Sequence, residues 1–137
     1  MGVILDSSVL IAGERSGESV WDILERVEAV CGSTANALSA ATAIELTHGI
    51  YRAKATGDRL RRQNFVEALF QAVPVHPLTL DVARLAGRIH GEQMDLGIRI
   101  DFADLNIGAT ALHLGFDVVT LNEKHFRLIP GLKTLTI

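Results

Sequence analysis

The 137-residue chain has a single cysteine, Cys31, which excludes an internal disulfide framework and any multi-cysteine zinc site. A lone thiol points to a reducing compartment. No uninterrupted apolar run approaches the ~20 residues that a bilayer-spanning helix needs. The apolar opening, Met1 to Gly13, is broken by Asp6 and has no basic stretch before it, which argues against a signal peptide. Internal repeats, low-complexity stretches and linkers rich in Pro, Gly or Ser are also missing, so residues 1–137 read as one domain. Nor is there an excess of positive charge: 13 Lys+Arg stand against 16 Asp+Glu, a net −3. What remains is 48% apolar and 21% charged, an ordinary globular composition. A chain of this length buries roughly two-thirds of its unfolded surface and needs no staples. The expectation is a cytoplasmic domain that does not touch membrane.

Short β-favouring runs alternate with helical periodicity. Val3-Ile4-Leu5, Val73–His76, Phe116–Thr120 and Leu135–Ile137 read as strands. Asn36–Ser39 reads as a fifth strand or, given its alanine, as helix. The i, i+3, i+4, i+7 pattern appears at Val20, Ile23, Leu24 and Val27, and again at Val82, Leu85, Ala86 and Ile89. Further helices are expected from near Asp58 through Leu69, and over Leu105, Ala109 and Leu112 with Gly115 closing the last. This order implies a three-layer α/β fold, a central parallel sheet of four to five strands flanked by helices.

Ligands of open parallel sheets bind at the carboxyl ends of the strands. Asp6 follows the first strand directly. It is either a helix N-cap, a role Ser7 and Ser8 could fill equally well, or a site residue. Glu45 sits among small and apolar neighbours; it is either a solvated residue or a carboxylate aimed at a partner or metal. Asp101 and Asp104 share one face at the start of a helix. The helix dipole explains one acid there better than two. Asn122, after the Val118–Thr120 strand, suits an N-cap and a site role at once. Asp117 begins its strand, at the opposite edge, and is excluded. Asp6, Glu45, Asp104 and Asp101 form an oxygen-only donor set suited to Mg²⁺ or Mn²⁺ rather than zinc. Such an ion activates water and stabilises charge on phosphate.

These stretches, in this order, are similar to the PIN-domain family, and most closely to VapC-type toxins of toxin–antitoxin operons. The carriers are Val3–Ile11, Glu45–Ala53, Asp104–Leu112, Val119–Phe126 and Ile129–Leu132. The resemblance implies a Mg²⁺- or Mn²⁺-dependent endoribonuclease that cuts structured RNA, transfer or ribosomal. It carries the family acids onto Asp6, Glu45 and Asp104, with Asn122 at the fourth polar position. Asp101 has no firm counterpart. Asn106-Ile107-Gly108-Ala109 departs from the usual apolar run ending in two alanines, a change expected to leave the site undisturbed. A homodimer is implied too, with a VapB-like antitoxin whose tail occupies the acidic pocket. The helices of residues 16–30 and 58–72 are the expected partner surfaces.

A net-negative nuclease needs local positive charge to hold RNA. Arg52, Lys54, Arg59, Arg61 and Arg62 supply it just beyond Glu45; a plain solvated helix face accounts for them equally well. Aromatics are only 5%, so base stacking is not expected to dominate. The five histidines show no ligand spacing. A haloacid-dehalogenase-type phosphatase needs a second Asp where Ser8 stands, and a response-regulator receiver needs an Asp after Val73–His76. The competing reading that survives is a catalytically inactive PIN-like binding module.

Overall fold

The computed structural model describes residues 1–137. In chain order the elements are β1 (Gly2–Leu5), α1 (Ser7–Arg15), α2 (Val20–Cys31), β2 (Ala35–Ser39), α3 (Ala40–Arg52) and α4 (Thr56–Ala72). Then come β3 (Val75–His76), α5 (Leu80–Asp95), α6 (Phe102–Leu114), β4 (Asp117–Val119), α7 (Glu123–Phe126) and β5 (Thr134–Leu135). The five strands form one parallel sheet in the order β3-β2-β1-β4-β5. The α/β expectation is met, with five strands.

Asn36–Ser39, open to either reading, is strand. It lies between β1 and β3, where Leu38 and Ser39 have no exposed surface, and ladder pairing on both sides overrides the helical leaning of its alanines. Alternation in β1 sorts the core into two halves. Val3 and Leu5 pack with Leu10, Ile23, Leu46 and Leu69 of α1–α4. Ile4 points the other way, to Ile89, Ile107, Phe126 and Ile129 beneath α5–α7. Side chains of a strand alternate between faces, so the three apolar side chains in a row, Val3, Ile4 and Leu5, are what a doubly covered strand requires. Each such side chain contributes about 1.5–3 kcal/mol on burial.

The helix α6 is buried without a break from Leu105 to Ala111, which its all-round apolar character dictates. At Gly108 a Cβ would run into Ile129 Cδ1, so glycine lets the Ile129–Leu132 turn close on the helix. Gly115, at φ 71°, ends α6 in the left-handed conformation that favours glycine.

The chain leaves β1 for β2 and β3 on one side and returns through β4 and β5 on the other. Strand order therefore reverses between β1 and β4. The crevice beyond their carboxyl ends is where a ligand of such a sheet binds. Asp6 follows β1 at this point, and Thr120 to Asn122 follow β4.

Candidate active site

Asp6 is buried, at 4% exposure, yet carries no positive partner; hydroxyls hold it instead. Its backbone N–H donates to the Val119 carbonyl (2.9 Å), continuing the β1–β4 ladder. Ser8 Oγ (2.7 Å) and Thr120 Oγ1 (2.8 Å) both donate to Oδ2. Oδ1 accepts from no protein group, so one oxygen is fixed and the other is left without a partner. The relay extends outward: Leu121 N–H donates to Ser8 Oγ (3.0 Å), and Asn122 N–H to Thr120 Oγ1 (2.9 Å).

Glu45 projects from α3, and Ser7 Oγ donates to its Oε2 (2.9 Å). Burial pushes the Glu45 carboxyl above its ordinary range; the Ser7 hydrogen bond works against that, and the Asp6 charge adds to it. Asp104 lies in the first turn of α6, its side chain 17% exposed, with His125 Nδ1 3.5 Å from Oδ2. Its carboxyl is pushed up to about 6, first by burial and then by the charges of Asp6, Asp101 and Glu45, with His125 opposing. The three acids therefore sense one another across the crevice, with His125 only partly offsetting their repulsion.

Helix caps bear on one of the readings of these residues, that of an N-cap. Ser19, Ser39 and Thr79, at the starts of α2, α3 and α5, each accept the capping N–H on their own side chains. Asp6, Asp101 and Asn122 occupy the same position at α1, α6 and α7, and none of the three side chains caps. All three of these helix starts belong to the crevice. Polar side chains that forgo a cap, which is worth about 1 kcal/mol, remain available for another ligand.

In kind, the donor set fits a hard divalent ion: oxygen atoms only, with unrelieved negative charge. In spacing it is open, because no three His, Cys, Asp or Glu side chains stand close enough to hold one ion as placed. Asp101 is exposed at the rim, one turn before Asp104. Asn106, in the departing stretch, is not idle: its Oδ1 accepts the Ala41 N–H (2.8 Å), tying α6 to the start of α3 and so Asp104 to Glu45.

Arg59 and Arg62 turn inward onto the carbonyls that end α3. Arg59 donates to Ala53 O (3.2 Å) and Tyr51 O (3.3 Å), and Arg62 to Gly49 O (2.8 Å). Arg61 pairs with Asp58 (2.7 Å) and lies 3.8 Å from Glu14. Arg52 and Lys54 are exposed and pair with no acid. A groove of about 350 Å³ between α1, α3 and α4 runs from Glu45 past Leu10 and Phe65, with Arg15, Arg52 and Arg62 on its rim. On α2 and α4, Trp21 and Leu60 are exposed, while Phe65 and Phe70 pack half-buried against the core.

Ser7, Ser8, Thr120 and His125 escape the sequence reading. The signal for the first three is a hydroxyl beside an acid or amide at a strand end. His125 stands three residues after Asn122, one helical turn on. Thr120→Val keeps the shape but removes a hydrogen bond to a buried carboxylate. The expected loss is about 1.5–3 kcal/mol of stability, read by urea denaturation at pH 7. A loss below about 0.5 kcal/mol, no more than an ordinary surface substitution, would contradict the relay.

A profile of the PIN domain family matches residues 3–132. The chain belongs to the PIN-domain family. Within it the kinship is with VapC-type toxins. It is 30% identical to Ribonuclease VapC of Rickettsia bellii over 139 residues, covering 100% of this chain and 97% of the relative. It is 29% identical to Ribonuclease VapC1 of Rickettsia felis over 137 residues, with the same coverage. Among solved structures, the VapBC2 complex of Rickettsia felis bound to a DNA fragment from its promoter superposes with a TM-score of 0.85 at 19% identity, covering 100% of this chain and 99% of that one. No helix is long and apolar enough to cross a membrane.

Proposed function

We propose that this chain is a Mg²⁺- or Mn²⁺-dependent endoribonuclease, the cytoplasmic toxin of a VapBC-type module, hydrolysing phosphodiester bonds of structured transfer or ribosomal RNA. The observation that carries the reading is the set of uncapping side chains, Asp6, Asp101 and Asn122, gathered with Glu45 and Asp104 where the strand order reverses. Kinship with ribonucleases named VapC supports it.

Asp6, Glu45 and Asp104 would hold the ion, with Asp101 at the rim. A bound divalent ion supplies charge stabilisation at the phosphate and lowers the pKa of the attacking water. Glu45, its carboxyl raised by burial, is suited to take the proton of that water. Asp6 is fixed through Oδ2 by Ser8 and Thr120, which leaves Oδ1 without a partner. Asn122 offers a neutral amide that orients water without adding charge. Arg52 and Lys54 are the free cations of the α3–α4 corner for RNA, whereas Arg59, Arg61 and Arg62 are engaged with protein.

The groove leading to Glu45 suits the tail of a VapB-like antitoxin, and a homodimer completes the proposed assembly. Solved relatives described as VapBC complexes support such a partner. The open spacing of the acids favours one other reading, an inactive binding module.

Incubating the protein with total RNA, in Mg²⁺ or in chelator, separates the two. The nuclease reading expects discrete new 5′ ends that disappear with chelator. Intact RNA in saturating Mg²⁺ or Mn²⁺ would leave the binding module.

A further inference from the structure

From the geometry of the α7 turn we infer a second RNA-holding surface: Lys124 and Arg127, beside His125, form a lip that binds the phosphates next to the cleaved bond. This rests on the nuclease reading above. It concerns the α7 turn, which packs on α6 and β5, and not the α3–α4 corner.

Lys124, His125 and Arg127 are all exposed within four residues of chain. Lys124 has no acidic partner, and Arg127 reaches only Glu123, one turn back at 3.7 Å, with 70% of its side chain exposed. An ion pair that loose and wet is worth little and yields to a phosphate. The three cationic or donor side chains border a surface hollow of about 330 Å³, completed by Leu121, Asn122, Thr136 and the one acid Glu123, whose charge Arg127 offsets. The hollow adjoins the acids, because Asn122 belongs to both and His125 lies 3.5 Å from Asp104.

Position is the second line of argument. The lip follows β4 through Leu121 and Asn122, whose N–H groups donate to Ser8 Oγ and Thr120 Oγ1. Those same hydroxyls hold Asp6 Oδ2. Two relays of two hydrogen bonds therefore register the α7 turn to the carboxylate at the centre of the crevice. Phe126, with no exposed surface, nails the turn to the core from below. A phosphate-binding surface registered in this way fixes where a strand crosses the acids, which is the requirement for cutting at one bond. The acids repel the polyanion, so cations on a rigid mount beside them are needed to hold it. Of the arginines at the α3–α4 corner, Arg59, Arg61 and Arg62 are committed to carbonyls and acids.

The test compares wild type, Lys124→Ala/Arg127→Ala, and Arg88→Ala, an equally exposed cation of α5. Binding of a labelled RNA hairpin is followed by fluorescence anisotropy in EDTA across a salt series, with melting curves to confirm folding. The lip predicts about tenfold weaker binding for the double variant and a log K against log salt slope shallower by about 2, one unit per lost phosphate contact. Arg88→Ala should match wild type. In Mg²⁺ the double variant should raise KM and lower kcat, because the strand is both held less tightly and registered less well. Unaltered affinity and slope in the double variant, with wild type binding and cutting RNA, would overturn the lip alone. Wild type that neither binds nor cuts RNA would overturn the nuclease reading and the lip with it.

Discussion

Asp104→Asn is expected to abolish RNA cleavage and, in the metal-free protein, to raise stability at pH 7. The two effects share one cause. Asp104 is a carboxylate held among other acids in a half-buried crevice, and its carboxyl is pushed up to about 6 from 3.8. The folded state therefore binds the proton more tightly than the unfolded chain does. Between about pH 4 and pH 6 the unfolded form has ionised while the folded form has not, so stability falls as pH rises through that window. Above it the penalty is fully present. Unscreened, a shift of this size corresponds to about 3 kcal/mol, and solvent in the crevice reduces it to about 1–2 kcal/mol. Asparagine does not ionise. The variant should show a flatter stability profile from pH 4 to 6 and a higher midpoint of urea unfolding at pH 7. On the proposed nuclease reading, cleavage should fall roughly a thousandfold or more, since a carboxylate that held the ion would supply several kcal/mol of transition-state stabilisation. An equally active variant would place the chemistry elsewhere. An unchanged pH profile would mean that Asp104 is not electrostatically strained.

Phe126→Ala should have the largest effect on folding. Phe126 is the largest side chain with no exposed surface, packed with Ile4, Val118 and Ile129 beneath the short helix α7. Truncation leaves a cavity lined by branched side chains already anchored in strand and turn, so it collapses poorly. The expected loss is about 3–5 kcal/mol. Against a total of about 5–15 kcal/mol for a domain of this kind, that is a large share. The measurement is urea denaturation with Phe126→Leu alongside, which should recover more than half of the loss. Truncation that removes less than about 1 kcal/mol would show that α7 is not docked on this core.

Much of the architecture was legible in hydrophobic periodicity, because both faces of β1 and the inner stripes of α2 and α5 are set by burial alone. The uncertain segment, Asn36–Ser39, had weak local preference, and its neighbours in the sheet decided it. Asp6 and Asn122 could be nominated because strand ends in a parallel sheet face one edge, Glu45 from its small and apolar neighbours, and Asp104 from its pairing with Asp101 at a helix start. That neither Asp6 nor Asn122 caps its helix was not legible, since a cap depends on where a side chain turns. The arginines show the opposite limit. A run of charge looks the same in sequence whether it faces solvent or, as with Arg59 and Arg62, closes off the carbonyls of a preceding helix. Ser8 and Thr120 act across 112 residues of chain, a pairing that no local pattern encodes.

The strand order also governs when the crevice can exist. β1 is synthesised first yet lies in the middle of the sheet, and 114 residues separate Asp6 from the threonine that holds it. On the ribosome, β2 can zip onto one edge of β1 early, while the other edge stays open until β4 emerges. A nascent chain therefore carries Asp6 with Ser8 but without Thr120 for most of translation. The crevice of a protein built this way is completed only when nearly all of its polypeptide has left the exit tunnel.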